Sequence, residues 1–168
     1  MTLSVKLNQL FNGRPCAMNN RVIWSEGMFL RPQHFQQHDR YLESYVNGLA
    51  NGLQAYHWGI SKLKIDMRLL AMGQFALAEC SGVFQDGVPF DLPEQDGLPT
   101  PIDIPEEMQN CIVYLSLPAR LEGSIEIDSD EKPNNLARYH ATEAEVKDHN
   151  TNSNEVSPVM IGKLQTRL

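Results

Sequence analysis

With 168 residues, 42% of them hydrophobic, the chain suits one domain that buries about 70% of its unfolded surface. Its net charge of −7, with only 14 scattered Lys and Arg, excludes a broad phosphate-binding face, so no nucleic-acid partner is expected. Three widely spaced cysteines, Cys16, Cys80 and Cys111, imply reduced thiols in a cytosolic protein rather than a disulfide framework.

Residues 1–17 interrupt Leu3, Val5, Leu7, Leu10 and Phe11 with polar residues, so no signal-peptide core forms. They are expected to be a poorly ordered N-terminal extension ahead of a domain over 18–168. No stretch of about 18 apolar residues occurs, and no membrane insertion is expected. Arg21 to Trp24 suits a short strand, and Glu26-Gly27 marks a turn. Pro32 fits the first position of a helix, where its missing N–H goes unused. From Pro32 to about Tyr56 an apolar stripe recurs at helical spacing through Phe35, Leu42, Tyr45, Val46, Leu49 and Leu53. Within it Gly48 and Gly52 cost roughly 1 kcal/mol each against Ala, which points to a close approach between helix and sheet.

Beyond Gly59 the pattern becomes β. Ile60 to Asp66 alternates apolar and polar residues, Leu69 to Gly73 suits a helical turn, and Gln74 to Cys80 alternates again. Asp86-Gly87 between apolar flanks predicts a hairpin. Four prolines between Leu92 and Pro105 predict an ordered loop or edge. Cys111 to Pro118 reads as a buried strand with Ile112, Val113, Tyr114, Leu115 and Leu117. Tyr139 to Lys147 alternates weakly, Asp148 to Ser157 reads as a loop, and Val159 to Leu168 as a last strand. One long helix followed by many short strands predicts a mainly β fold, a β-sandwich with the helix packed beside it.

Chemical motifs are sparse. His34 and His38, four apart on a helix, could meet one metal with Asp39 or Glu43, but HExxH is absent and a solvated face is the better reading. No GxSxG, P-loop or GxGxxG occurs, so neither catalysis nor a cofactor is expected. Asp128-Ser129-Asp130-Glu131 lacks the glycine and closing glutamate of a calcium loop. Two other classes remain as alternatives. A hydrolase would need His57 or His140 to meet a carboxylate and a cysteine or serine. A carbohydrate- or ligand-binding sandwich would present Trp58 and exposed tyrosines on one face.

The opening from Val22 to Gln37, VIWSEGMFLRPQHFQQ, resembles the start of the TssK (ImpJ/VasE) family of type VI secretion baseplate subunits. Trp58-Gly59-Ile60, Leu69 to Phe75, Phe84 to Asp91 (with Gln85 where proline is common) and Val113 to Pro118 resemble later motifs of that family, in the same order. The resemblance implies a phage-receptor-binding-protein-like "shoulder" domain over 18–168. It implies a structural adaptor without catalysis that docks on the wedge proteins TssF and TssG, in the cytoplasm at the inner-membrane-associated baseplate. Full-length members trimerise and contact TssJ, TssL and TssM through a neck and head, which would begin where this sequence ends. Under that resemblance Trp24, Met28, Phe29, Leu30, Arg31, His34 and Phe35 are the expected partner-binding residues, since aromatic residues and arginine are favoured anchors. For Trp24, Phe29 and Phe35 the competing expectation is that they pack the helix onto the sheet.

Overall fold

A proline can begin a helix but not continue one, and in a computed structural model of the chain Pro32 opens α1 (Pro32–Leu53) directly after an extended Arg31. The helix ends three residues before the predicted Tyr56. Asn51 and Gly52, both poor helix formers, occupy its last turn, and Gln54 leaves it in an extended conformation with its N–H still bonded to the Ala50 carbonyl at 3.0 Å. The structure describes residues 4–8, 19–105, 107–108, 110–120, 126–128, 136–148 and 155–168.

The β elements are β1 (Ser4–Asn8), β2 (Gly59–Ile65), β3 (Gln74–Phe75), β4 (Leu77–Val83), β5 (Pro89–Leu92), β6 (Ile102–Asp103), β7 (Ile112–Ser116), β8 (Ile127–Asp128), β9 (Tyr139–Lys147) and β10 (Val156–Leu164). Strands β2, β4 and β5 form an antiparallel sheet, β3 pairs with β6, and β1 runs parallel to β7. A fourth sheet places β9 between β10 and the short β8, with Pro158 near the start of β10 opposite Glu145. A short α2 (Met67–Ala71) links β2 to β3, started by Asp66, whose carboxylate accepts from the Arg68 and Leu69 N–H groups at 2.9 and 3.3 Å. The Arg68 guanidinium, with those two amides, holds the Asp66 carboxyl below the usual carboxylate range.

Alternation decides which side chains enter the core. Phe75, Leu77, Cys80, Phe84, Phe90, Leu92, Leu115, Leu117 and Leu164 form one buried cluster, drawn from all four sheets, the β4–β5 turn and the segment after β7. Phe84 and Phe90 face each other across the β4–β5 hairpin with ring centroids 4.6 Å apart, an arrangement worth about 1 kcal/mol beyond area burial. Burial pushes the Cys80 thiol up to about 11, which leaves it an inert core group. The Asp86-Gly87 turn forms as the sequence implies. Gly87 has φ +85°, and Phe84 and Gly87 close the turn with bonds to the Val88 and Phe84 carbonyls, both 2.9 Å. A side chain at Gly87 would also lie 2.6 Å from the Asn47 amide of α1.

The structure corrects several expectations. Strand β7 is buried on one face only: Leu115 is fully enclosed, while Ile112 and Tyr114 are each more than two-fifths exposed. Period-2 alternation turns those two side chains away from the core, although apolar or aromatic residues stand on both faces of Ile112–Leu115. Gly48 and Gly52 do not serve a close approach to the sheet, since a Cβ on either would meet nothing within 4 Å. Within the predicted extension, Ser4–Asn8 is a strand in register with Ile112–Ser116; the rest of 1–17 lies outside the described residues, as do Ser129 to Glu131 and most of the Asp148–Ser157 loop. Val156 and Ser157 already belong to β10.

One polar side chain sits deep in the β body. Arg138, just before β9, is 2% exposed. Its guanidinium donates to the Asp86 carboxylate at the hairpin tip and to the Pro118 carbonyl at 2.7 Å. Removing one partner of a buried pair strands the other charge. Asp86→Ala is therefore expected to cost about 3 kcal/mol in urea unfolding, whereas Asp86→Ala combined with Arg138→Leu should recover part of that loss in a double-mutant cycle. A second prediction concerns acid. Hydrogen bonds from Lys62 and Lys64 hold the Glu79 carboxyl down at about 2. Its folded pKa lies below its unfolded value, so its contribution is complete above the ordinary glutamate range and is lost as pH falls toward 2. Glu79→Gln should therefore flatten stability between about pH 4.5 and pH 2 relative to the parent in acid titrations followed by circular dichroism.

Candidate partner-binding surface

Turn chemistry builds the opening segment. Gly27 takes φ +77°, which glycine adopts without strain, and the Met28 N–H reaches the Ser25 carbonyl at 3.3 Å. This reversal carries the chain from the buried Val22 to the start of α1. At that start the His34 N–H donates to the Arg31 carbonyl at 3.0 Å, and the His34 Nδ1 accepts from the Arg31 N–H at 3.0 Å. The imidazole thus stands where glutamate or glutamine usually closes a capping box. Its bond to Arg31 requires Nδ1 unprotonated, so in that state any proton of the neutral ring is on Nε2.

Trp24 gathers the first helical turns. Its ring lies 6.3 Å from His34, 6.3 Å from Phe35 and 6.1 Å from His38, the last edge-on. These contacts fix the segment without covering it. Trp24 is 45% exposed, Phe29 83%, Leu30 56% and Phe35 54%, with Ile23 beside them at 80%. Met28 and His34 are partly covered and Arg31 is exposed. All seven expected residues therefore sit on one continuous turn and helix start. Trp24 and Phe35 pack against each other and against the helix rather than onto a sheet, and Phe29 is turned outward.

The exposed apolar surface continues along α1. No residue of this helix is buried, and Leu42, Tyr45, Val46, Leu49 and Leu53 are each more than two-fifths exposed. The helix meets the β body through polar groups instead. Asn47 donates to the Asp86 carbonyl at 2.8 Å and its Oδ1 meets His57 Nε2 at 3.0 Å, while Arg120 pairs with Glu43. Burial works against the Arg120 charge, but Glu43, Glu126 and Tyr139 outweigh it and hold the guanidinium protonated above its ordinary range. Asn47, Asp86 and Arg138 are what the sequence reading missed in this role; Asp86 showed only as a turn residue, and nothing in local pattern marks the other two.

His57 meets the Asn47 amide rather than a carboxylate, and His34 caps a helix. Among the described residues no three His, Cys, Asp or Glu side chains are grouped as metal ligands, and no helix is long and apolar enough to cross a membrane.

Residues 34–168 match the family described as "Bacterial Type VI secretion, VC_A0110, EvfL, ImpJ, VasE", and the chain belongs to that family. Its relative TssK1, a type VI secretion system baseplate component of Pseudomonas aeruginosa PAO1, is 45% identical over 150 residues, an alignment that covers 89% of this chain and 34% of TssK1. The chain thus spans about a third of that relative's length. A crystal structure of TssK superposes with a TM-score of 0.81 at 38% identity, over 89% of this chain and 34% of the other. A cryo-electron-microscopy structure of a TssK-TssF-TssG baseplate subcomplex shares the fold, with a TM-score of 0.73 at 21% identity over 89% of this chain and 50% of that one.

The capping geometry gives a direct test. His34→Ala should destabilise the first turn of α1 by about 1 kcal/mol, whereas His34→Gln should keep most of the cap. Hydrogen exchange at the Arg31 and His34 amides reads the difference.

Proposed function

We propose that this chain is the wedge-docking domain of a type VI secretion baseplate subunit, a structural adaptor with no catalytic step of its own. It works in the cytoplasm at the baseplate on the inner membrane, and its partners are the wedge proteins TssF and TssG. The docking unit spans residues 18–168. Trimerisation and contact with TssJ, TssL and TssM belong to the neck and head of full-length members. Kinship with a baseplate component, and a fold shared with the TssK-TssF-TssG subcomplex, support the reading.

The observation that carries it is a fixed but uncovered apolar patch. Ile23, Trp24, Phe29, Leu30 and Phe35 are held by a turn and a cap, yet each is at least 45% exposed. Exposed apolar patches on a fixed scaffold mark protein interfaces. Preorganisation lowers the ordering cost of association, so affinity rests on the few large anchors. Trp24, Phe29 and Phe35 are those anchors here; Met28 and Leu30 fill the surface between them, and Arg31 and His34 supply its polar rim.

Size-exclusion chromatography with light scattering tests the reading. The full chain should co-migrate with purified TssF–TssG. Phe29→Asp should weaken that complex by about 2 kcal/mol, roughly thirtyfold, with the helical circular dichroism unchanged. A folded chain that never co-migrates would refute wedge docking, and a Phe29→Asp chain that binds normally would place docking elsewhere.

A further inference from the structure

A second cleft lies away from the opening segment, between the exit of α1 and the β2–β4–β5 sheet, with a volume of about 520 Å³. Its floor is an irregularity in the sheet. Pairing steps from Ile60 with Gly82 to Lys62 with Ser81, which leaves Ser61 as a bulged residue, and bulges re-aim side chains. Ser61 Oγ then donates to the Ser81 carbonyl at 3.0 Å. Gly82 lets the two backbones close on each other, because a Cβ there would stand 2.2 Å from the Gly59 carbonyl oxygen. One wall is aromatic, Tyr56 edge-on to Trp58 with centroids 6.4 Å apart. The other carries Asp91 and Gln95, in a turn fixed by the Asp91 carbonyl, which accepts from the Gln95 and Asp96 N–H groups at 2.9 and 3.1 Å.

Hydrogen bonds orient the polar groups behind this cleft. Asn47 is oriented by its Nδ2 bond to the Asp86 carbonyl, so its Oδ1 faces His57 Nε2 as an acceptor. The His57 proton is therefore on Nε2, while Nδ1 is enclosed within the fold and has no hydrogen-bond partner. Asp91 adds a carboxylate to the lining. Asp91 and Glu94 reach the Lys62 ammonium coulombically, although that ammonium is committed first to Glu79. Aromatic faces beside a carboxylate favour a flat cation with several donors, which is a guanidinium. The overall charge of −7 favours the same sign of partner.

We propose that this cleft receives an arginine side chain from a segment of a partner protein, stacked on Trp58 and Tyr56 and paired with Asp91. Naming the wedge as that partner rests on the adaptor reading above; the guanidinium preference itself does not. Arginine is among the commonest anchors of protein interfaces, so the cleft would be a second contact point, set apart from the apolar patch.

The two parts are tested separately. In nitrogen-15 spectra of the full chain, a short blocked peptide with one central arginine should shift the Trp58 indole N–H and the Gly59 and Ser61 amides to saturation. The Trp24 indole should not move, and Trp58→Phe assigns the two indole signals. The same peptide with citrulline, nearly isosteric but uncharged, should bind about tenfold more weakly or worse, and Asp91→Asn should weaken arginine binding to a similar degree. Equal response to the two peptides, the absence of a saturable shift, or an unaffected Asp91→Asn chain would overturn the arginine site. Asp91→Asn is then mixed with TssF–TssG. Weakened co-migration supports the wedge as the arginine donor. Undiminished co-migration removes the wedge from this cleft while leaving the adaptor reading intact. Failure of the parent chain to co-migrate would overturn the adaptor reading, and the peptide titration would still decide the guanidinium site.

Discussion

The buried guanidinium of Arg138 joins parts of the chain that no strand pairing among the described residues joins. Its own N–H and carbonyl bond to Glu126 and Gln165, and its side chain reaches the Pro118 carbonyl and the Asp86 carboxylate. The start of β9, the exit of β7 and the tip of the β4–β5 hairpin therefore meet at one residue. Asp86 extends the connection, since its carbonyl holds Asn47 and Asn47 holds His57. The base of the helix and the cleft beside Trp58 are thus positioned by a chain of polar contacts that ends in the core. Burying such a charge is expensive unless its partners are well placed, so the arrangement favours geometric definition more than stability.

This division of labour explains why α1 keeps its apolar face uncovered. A helix held to a sheet by packing would bury its stripe. Here Glu43 and Asn47 make the attachment, and Leu42, Tyr45, Val46 and Leu49 remain outside it. The opening turn continues the same surface through Trp24, Phe29 and Leu30. Apolar area that contributes nothing to the fold of the single chain is available to drive assembly. The open space around Gly48 and Gly52 fits that picture, because it is space that another backbone could approach.

How legible each feature was depends on the range of its cause. Pro32 and the Asp86-Gly87 turn act on their own few residues, and both were visible in the sequence. The alternation from Gln74 to Cys80 was visible too, though it breaks into β3 and β4. An amphipathic stripe says that a helix face is apolar without saying what covers it, so the stripe from Phe35 to Leu53 was found and its partner was not. The run from Cys111 to Pro118 shows the reverse weakness. A stretch apolar on both faces suggests burial on both, and only the folded context exposes Ile112 and Tyr114. Asn47 and Asp86 are 39 residues apart, and Asp86 and Arg138 are 52 apart. No local periodicity reports such pairs, and an isolated arginine looks like surface until its neighbours are known.

Pro158 gives the β9–β10 arm a further property. The described strands leave β10 at the edge of its sheet, and its outer residues Val159, Met160 and Ile161 are exposed. A long apolar edge of this kind would ordinarily template another strand, and repeated addition leads to fibres. Pro158, third of the nine residues of β10, has no N–H to offer and shortens the row of donors available to an incoming chain. The arm can therefore hold its apolar side chains outward, with uncontrolled stacking along that edge disfavoured by a single missing hydrogen.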